Sequence, residues 1–484
     1  RKACSSIKIC YRSIASSCWL PAPRPLSPRM NHIVNVAVQT PAHSAVGELL
    51  SYRSDEPLPP GTLVRVPLGT RELLGVVWDA PPAPQALPEG VELRSITAVL
   101  QGIAPLNPGW RQLVAFAAHY YQRSVGEIAV TALPPQLRDM TPEQLERRLA
   151  PPKAPKAKTG KPRKTQAEAV ADEAQATEEP SEPPADAFKT PELVALSAEQ
   201  STVFAQIEQE PGPFLLYGST GSGKTEVYLR AVQAVLDANP EAQALVMVPE
   251  INLTPQLEER FVARFVPQYG KEAVVSMHSG MTNPQRLKSW LAAHTGRARI
   301  VLGTRMAIFA SLPQLTLIVV DEEHDASYKQ QEGARYSARD LALWRGRDSG
   351  AKVILGSATP SLESWHASDA QVGRYLRLHM PSRIGSASLP KVRLVDMTQQ
   401  PRKAVFSPPL IAAITERVQR GEQSLILLNR RGFAPVLFCA DCNWKSDCPH
   451  CSAHQVFHKG DRTLRCHHCG FTQRVPFACP SCGN

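Results

Sequence analysis

Residues 214–225 read FLLYGSTGSGKT, and this stretch decides the fold. The apolar run Phe214–Tyr217 leads into Gly218-Ser219-Thr220-Gly221-Ser222-Gly223-Lys224-Thr225, which fits the pattern GxxxxGK[ST]. A helical stretch, Glu226–Leu236, follows. A strand, a glycine-rich loop and a helix in this order let successive backbone N–H groups curl round phosphate oxygens, and the helix N-terminus adds partial positive charge. Lys224 is expected on the β- and γ-phosphates of ATP, and the Thr225 hydroxyl on Mg2+.

Outward from this loop, Ala244–Val248, Ile300–Leu302, Leu315–Val320 and Lys352–Leu355 are short apolar runs separated by helical stretches. The alternation predicts an α/β fold, a parallel sheet covered by helices on both faces. Leu315–Val320 ends in Asp321-Glu322-Glu323-His324. Acidic residues at the carboxyl end of a buried strand lie beside the phosphate loop in this architecture. Asp321 is expected to hold Mg2+ through water, and Glu322 to polarise the attacking water. Gln200, upstream of the loop, is a candidate for reading adenine. Leu425–Leu428 starts a similar strand pattern again.

The flanks differ in texture. Ile33–Val38, Leu63–Pro67, Leu73–Trp78 and Arg94–Leu100 are strand candidates, with Gly69 turning between the middle two. Residues 30–104 therefore read as a small β-rich domain. Trp110–Gln122 and Pro142–Leu149 read as helices, the second with Thr141 as N-cap. Residues 150–193 carry a basic Pro/Lys run and then an acidic Ala/Glu/Pro run without apolar period, a disordered linker. Residues 1–29 contain no acidic residue and read as a transit peptide or as an untranslated extension, with Met30 the expected start. The chain stops two residues after its last cysteine and is expected to be truncated there.

The net charge of +10 favours a polyanionic partner, nucleic acid before membrane. No apolar run is long enough for a spanning helix. Eight of the 11 cysteines fall in four Cys-x-x-Cys pairs: Cys439/Cys442, Cys448/Cys451, Cys466/Cys469 and Cys479/Cys482. A phosphate loop needs cytosolic nucleotide, so zinc in a reducing compartment is favoured over disulfides. Eight thiolates suffice for two closed, structural Cys4 sites, with His450, His467 and His468 as bystanders. The spacings of 5, 14 and 9 residues between successive pairs leave adjacent and nested pairing both open.

Further stretches carry a family resemblance. Asp321–His324 (DEEH) resembles the second phosphate motif of superfamily 2 helicases, which implies a catalytic place for His324. Gly356-Ser357-Ala358-Thr359 is similar to the motif in which Ser357 and Thr359 would couple ATP state to strand movement. Val248–Pro255, with Thr254, and Gly303-Thr304-Arg305 resemble segments that touch the DNA backbone. DEEHDASYKQQEGARYSARD (Asp321–Asp340), GSATPSLES (Gly356–Ser364), LLNRRGFAP (Leu427–Pro435) and the cysteine pairs resemble the PriA-type primosomal protein N′ family of replication-restart helicases. So do Val64–Gly69 and Ala117–Tyr121 of the N-terminal domain; the resemblance covers about residues 30–140 and 196–484.

That resemblance implies a RecA-like helicase lobe over 194–400, the start of a second lobe over 401–436, and a zinc module over 437–484 set into it. It implies a cytoplasmic bacterial monomer, not membrane-bound, that unwinds DNA 3′-to-5′ with ATP, Mg2+ and two Zn2+. Its partners would be forked and single-stranded DNA, single-stranded-DNA-binding protein, other primosome proteins and the replicative helicase. Residues 105–149 would be a helical remnant of a winged-helix region. Ser327–Arg339 is similar to the family's aromatic-rich loop, implying Tyr328 and Tyr336 on bases and Lys329, Arg335 and Arg339 on phosphates. Ala334 stands where the family often has Trp, and Val46 and Gly47 stand where a Phe-Asp pair helps hold a 3′ DNA end, although Gly69 fits. The family's zinc pairing is nested: Cys439, Cys442, Cys479 and Cys482 on one ion, and Cys448, Cys451, Cys466 and Cys469 on the other. The resemblance implies that the rest of the second lobe, with its arginine finger, is expected outside these 484 residues, so they are expected to bind nucleotide and DNA but hydrolyse ATP poorly.

Overall fold

The computed structural model describes residues 32–40, 49–79, 92–140, 144–145, 194–249, 255–385, 391–400, 405–427 and 436–484. The expected extension at 1–29, the linker over 150–193, most of the helix over Pro142–Leu149, Val46, Gly47, Thr254 and most of Leu427–Pro435 lie outside these residues.

The N-terminal sheet consists of β1 (His32–Val38), β2 (Leu49–Ser54), β3 (Leu63–Leu68), β4 (Arg71–Trp78) and the short β5 (Ala98–Val99). Their order is β2-β1-β4-β3-β5, all antiparallel. Gly69, at φ +62°, makes the tight β3–β4 turn where a side-chain-bearing residue would be strained. Of the strand expected over Arg94–Leu100 only Ala98–Val99 pairs as a strand, with an isolated bridge at Ser95. Helices α1 (Pro108–Tyr120), α2 (Val125–Ala132) and the single turn α3 (Gln136–Asp139) follow. Asn107 and Ser124 cap the first two by accepting from backbone N–H groups of the first turn. The buried Arg65 guanidinium ties β3 to α3 by donating to the carbonyls of Leu137, Arg138 and Met140.

The motor sheet begins after α4 (Ala198–Gln209). It alternates β6 (Phe214–Gly218), α5 (Lys224–Ala238), β7 (Gln243–Met247), α6 (Pro255–Tyr269), β8 (Val274–Met277), α7 (Asn283–His294), β9 (Ile300–Gly303), β10 (Leu315–Val320), α8 (Ala338–Ser349), β11 (Lys352–Ser357), α9 (Leu362–Ala367) and β12 (Leu376–Met380). All seven strands are parallel, in the order β12-β6-β11-β10-β7-β9-β8. Strand pleating sends Ile318 and Val320 to one core and Leu317 and Val319 to the other, and the register shift between Leu315 and Leu317 turns Leu315 to the first. Burial on both faces is why these strands read as unbroken apolar runs.

The first of those cores is continuous with the N-terminal domain. Trp110 of α1 is fully buried, and its indole N–H donates to the Phe309 carbonyl at 2.9 Å. Phe116 stacks on Trp344 of α8 at 4.5 Å. His294 bridges Ser311 and the Ala104 carbonyl. Arg345 of α8 donates to the carbonyls of Ile308 and Ala310, and burial brings its guanidinium down to about 10.

Leu389–Asn484 forms a second compact unit. It holds α10 (Pro408–Gln419) and a three-stranded antiparallel sheet of β13 (Val456–His458), β14 (Thr463–Arg465) and β15 (Thr472–Arg474). The strand expected over Leu425–Leu428 is not formed at residues 425–427, whose backbone is irregular and whose Leu425 is fully exposed. No described strand lies beside them to complete a ladder.

Candidate functional site

The phosphate loop joins β6 to α5. Gly221 and Gly223 sit at φ +85° and +81°, and Gly223 is the left-handed N-cap of α5. A side chain at Gly223 would run into the Gln200 amide at 2.4 Å, so this glycine also makes room for its neighbours. Gln200 is buried. Its amide nitrogen donates to the Gly223 carbonyl, and its oxygen accepts from Ser197 N–H in the capping box of α4. Both ends of the side chain proposed to read adenine are thus engaged in holding the loop.

Lys224 is buried, and its ammonium donates to the Gly218 carbonyl at 2.9 Å, folded over its own loop. The Ser222 hydroxyl is buried without a hydrogen-bond partner among the described residues. Ser219 donates to the Pro381 carbonyl, and Ile384 N–H donates to Gly221, so the segment after β12 braces the loop. Arg383 of that segment lies against Gly221 with its Nε unpaired, a neighbour for phosphate that carries no sequence signal of its own. Positive-φ glycines, a helix N-terminus, an orphaned hydroxyl and a lysine on a loop carbonyl together suit a phosphate chain.

The carboxylates stand at the end of β10. Asp321 accepts from the Tyr228 hydroxyl at 2.9 Å. Burial holds the Asp321 carboxyl above the ordinary carboxylate range and the Glu322 charge adds to this, while the Tyr228 hydrogen bond and Lys224 pull it down. Tyr228 lies so close to Gly356 that a Cβ there would stand 1.6 Å from its hydroxyl, which explains the first residue of Gly356–Thr359. Glu322 adopts φ +44°, a strained conformation for a residue with a side chain. His324 lies 3.7 Å from the Glu322 carboxylate, 2.8 Å from the Ser357 hydroxyl and 3.3 Å from that of Thr359. The structure therefore brings Glu322, His324, Ser357 and Thr359 together in one chain of contacts.

Glu323 is the residue that motif reading passes over. Only 1% exposed, it accepts from Ser361 N–H and hydroxyl, the Ser364 hydroxyl and the Arg339 guanidinium. Its N–H donates to the Gly356 carbonyl. The sequence signal was present, a third acidic residue after β10 and Ser-x-x-Ser after β11, but only the fold joins them.

The loop after DEEH corrects part of the DNA-contact set. Tyr328 is 2% exposed and its hydroxyl donates to the Asp321 carbonyl; Tyr336 is 6% exposed and packs edge-on to Phe309. Rings this buried pack beneath the loop and do not stack on a strand lying at the surface. Arg339 is engaged by Glu323, Asp340 and Ser361, not free for phosphate. Arg305 donates to the carbonyls of Ser327 and Lys329, which supports the loop from below. Lys329 and Arg335 are exposed. The N-terminal domain grips the same loop: Lys329 lies over the Tyr121 ring at 5.1 Å, the Tyr121 hydroxyl accepts from Ser337 N–H, and Arg123 donates to the Gly333 carbonyl.

In the cysteine unit the sulfurs gather as two nested sets, Cys439, Cys442, Cys479 and Cys482, and Cys448, Cys451, Cys466 and Cys469. Facing sulfurs are 3.4–3.7 Å apart. That is too long for a disulfide and close to the ~3.8 Å edge of a tetrahedral zinc–thiolate site. The Asn443, Gly470 and Gly483 N–H groups close the knuckle turns at positive φ. Backbone N–H groups, that of Cys469 foremost, bring the Cys466 thiol down to about 6. The donor set fits zinc. The histidines stay out of it: His450 packs on Phe471, and His467 meets His458.

Comparison with known proteins places three family models on this chain. A DEAD/DEAH box helicase model matches residues 197–367, a 3′DNA-binding domain model matches 35–134, and a PriA DNA helicase Cys-rich region model matches 448–474. The second includes α1 and α2, the helices first assigned to a winged-helix remnant. The replication restart protein PriA of Haemophilus influenzae is 35% identical over 93% of this chain and 66% of its own. That of Bacillus subtilis is 40% identical over 61% and 37%, and that of Rickettsia felis 31% over 87% and 58%. The chain thus spans 66% or less of the length of these relatives.

Proposed function

The chain belongs to the PriA replication-restart family, and we propose that it is an ATP-dependent 3′-to-5′ DNA helicase that recognises stalled or abandoned forks and initiates primosome assembly. The observation that carries this reading is the contact chain from Glu322 through His324 to Ser357 and Thr359 beside the phosphate loop, in a chain with a 3′DNA-binding module. In the proposed cycle Lys224 leaves the Gly218 carbonyl for the β- and γ-phosphates. Thr225 and Asp321 would hold Mg2+, which supplies charge to the phosphates when bound. Glu322 orients the attacking water, and His324 reports its position to Ser357 and Thr359. Glu323 keeps the two segments in register throughout.

Two Zn2+ ions, one in each cysteine set, would close the second unit without taking part in catalysis. Among the described residues no helix is long and apolar enough to cross a membrane; a cytoplasmic monomer is proposed. Single-stranded-DNA-binding protein, other primosome proteins and the replicative helicase are proposed partners. Strand displacement on forked DNA by the full-length polypeptide, with 3′ and 5′ tails compared, tests the reading. Unwinding from the 3′ tail that Lys224→Ala abolishes is expected. ATP turnover without displacement on any fork would leave the other reading, a nucleic-acid-stimulated translocase on RNA or DNA.

A further inference from the structure

Strand β12 pairs with β6 in parallel register, Met380 opposite Gly218, so the chain after Met380 leaves the sheet level with the phosphate loop. There the segment 380–384 is clasped to two elements. Ser219 donates to the carbonyls of Met380 and Pro381, and Ile384 N–H donates to the Gly221 carbonyl. Ser382 gives its N–H and its hydroxyl to the Glu199 carboxylate of α4, at 3.2 and 2.6 Å. The Ile384 side chain sits beside Gly223, where a Cβ would stand 2.3 Å from it. Arg383, in the middle of this strap, is half-buried. Its Cγ lies 4.0 Å from where a Cβ on Gly221 would stand, and nothing else among the described residues outside the adjoining chain comes as near. Among the described residues no hydrogen bond or ion pair engages the Arg383 guanidinium.

We propose that Arg383 is a nucleotide-binding residue, the second cation of the phosphate site after Lys224, and that it sets the preference for a polyphosphate over a monophosphate. The proposal rests on the reading of this loop as an ATP site. Lys224 is the one cation within Gly218–Thr225. A polyphosphate carries several negative charges and gains from a second cation. A guanidinium suits the task, since its planar fork can hold two phosphate oxygens at once. The clasp fixes the backbone on both sides of Arg383, and Gly221 receives its stem. The side chain therefore has less freedom to lose when a ligand arrives. Glu199, the acid that anchors the strap, accepts from Ser382 and forms no ion pair with Arg383, so the positive charge stays uncompensated beside the loop.

The test is competition against a fluorescent ATP analogue on the full-length polypeptide, with ATP, ADP, AMP and inorganic tripolyphosphate as competitors. Arg383→Ala is expected to weaken ATP, ADP and tripolyphosphate about 10- to 100-fold, and AMP by less. Arg383→Lys should keep part of the affinity, since the charge stays and the fork is lost. Ser382→Ala leaves the guanidinium but loosens the strap from Glu199, and should weaken ATP about 2- to 5-fold. Thermal unfolding without nucleotide should be the same for wild type and Arg383→Ala. Unchanged ATP affinity in Arg383→Ala, where Lys224→Ala still loses it, overturns the Arg383 assignment alone. Losses on ATP, ADP and AMP with tripolyphosphate unaffected put the guanidinium on the base or ribose and overturn the phosphate assignment. A lowered melting temperature with equal losses on all four competitors reduces Arg383 to packing and overturns it too. Failure of wild type to bind any of the four overturns the ATP-site reading and this proposal together.

Discussion

The motor and the cysteine unit fix their chemistry by opposite means. In the motor, a seven-stranded sheet buried on both faces positions the phosphate loop and the carboxylates, and one buried glutamate ties two segments together. Among the described residues of the cysteine unit, Leu464 is the one fully buried apolar side chain besides its cysteines, and no residue of α10 is buried. Apolar burial alone cannot hold such a unit, so metal coordination must supply most of its order. The comparison separates a site that survives losing a ligand from one that does not.

The largest expected break is metal removal. Chelation, or Cys448→Ser, should unfold the cysteine unit, since structural zinc contributes on the order of 10 kcal/mol to such folds. Nucleotide affinity at Lys224 should stay unchanged, as measured by fluorescent-nucleotide titration. A matching loss of nucleotide binding would show that the two units are not independent.

Next comes Glu323→Ala. It removes the acceptor of two serine hydroxyls and one partner of the half-buried Arg339 guanidinium, which keeps Asp340, and should lower the motor's unfolding free energy by about 2–4 kcal/mol in denaturant titration. Glu323→Gln, which keeps an acceptor, should lose less. A loss below 1 kcal/mol would mean that Arg339 finds solvent instead.

Gly356→Ala is smaller. The added methyl collides with the Tyr228 hydroxyl and should cost about 1–3 kcal/mol. Tyr228→Phe in the same chain should recover part of this, and a double-mutant cycle reads the coupling. Strict additivity would exclude the collision as the cause.

The smallest effect is on pH. Asp321 is already held above the ordinary carboxylate range, so it takes up its proton at a higher pH than a free aspartate, and in the proposed role would give up Mg2+ there. The Tyr228 hydroxyl pulls it down, so Tyr228→Phe should move the acid loss of Mg2+-dependent nucleotide binding to higher pH. An unmoved or downward-shifted acid limb would place the buried proton elsewhere.

What could be read from the chain follows the same division. Central strands such as Leu315–Val320 are legible because both faces are buried and the residues are apolar throughout. β8 and β12 are the two edges of the sheet, bury less, and were not anticipated; β12 alternates exposed and buried side chains. The cysteines announce themselves by spacing. Glu323 does not, since its serine partners lie 38 and 41 residues away. Tyr328 and Tyr336 misled because aromatic residues among basic ones look alike whether they meet bases or a core. The Asp321 supports were hidden for the same reason: Tyr228 sits on a helix whose face only the sheet defines.

One face of the N-terminal sheet has a small core of its own, around Val36, Val64 and Val77, while the other shares its core with the motor. Hydrogen exchange would register this as cooperativity. Amides of α1 and β10 should open with the same free energy, as parts of one foldon, while the amides of the metal-held unit exchange on a separate schedule set by how often their ions leave.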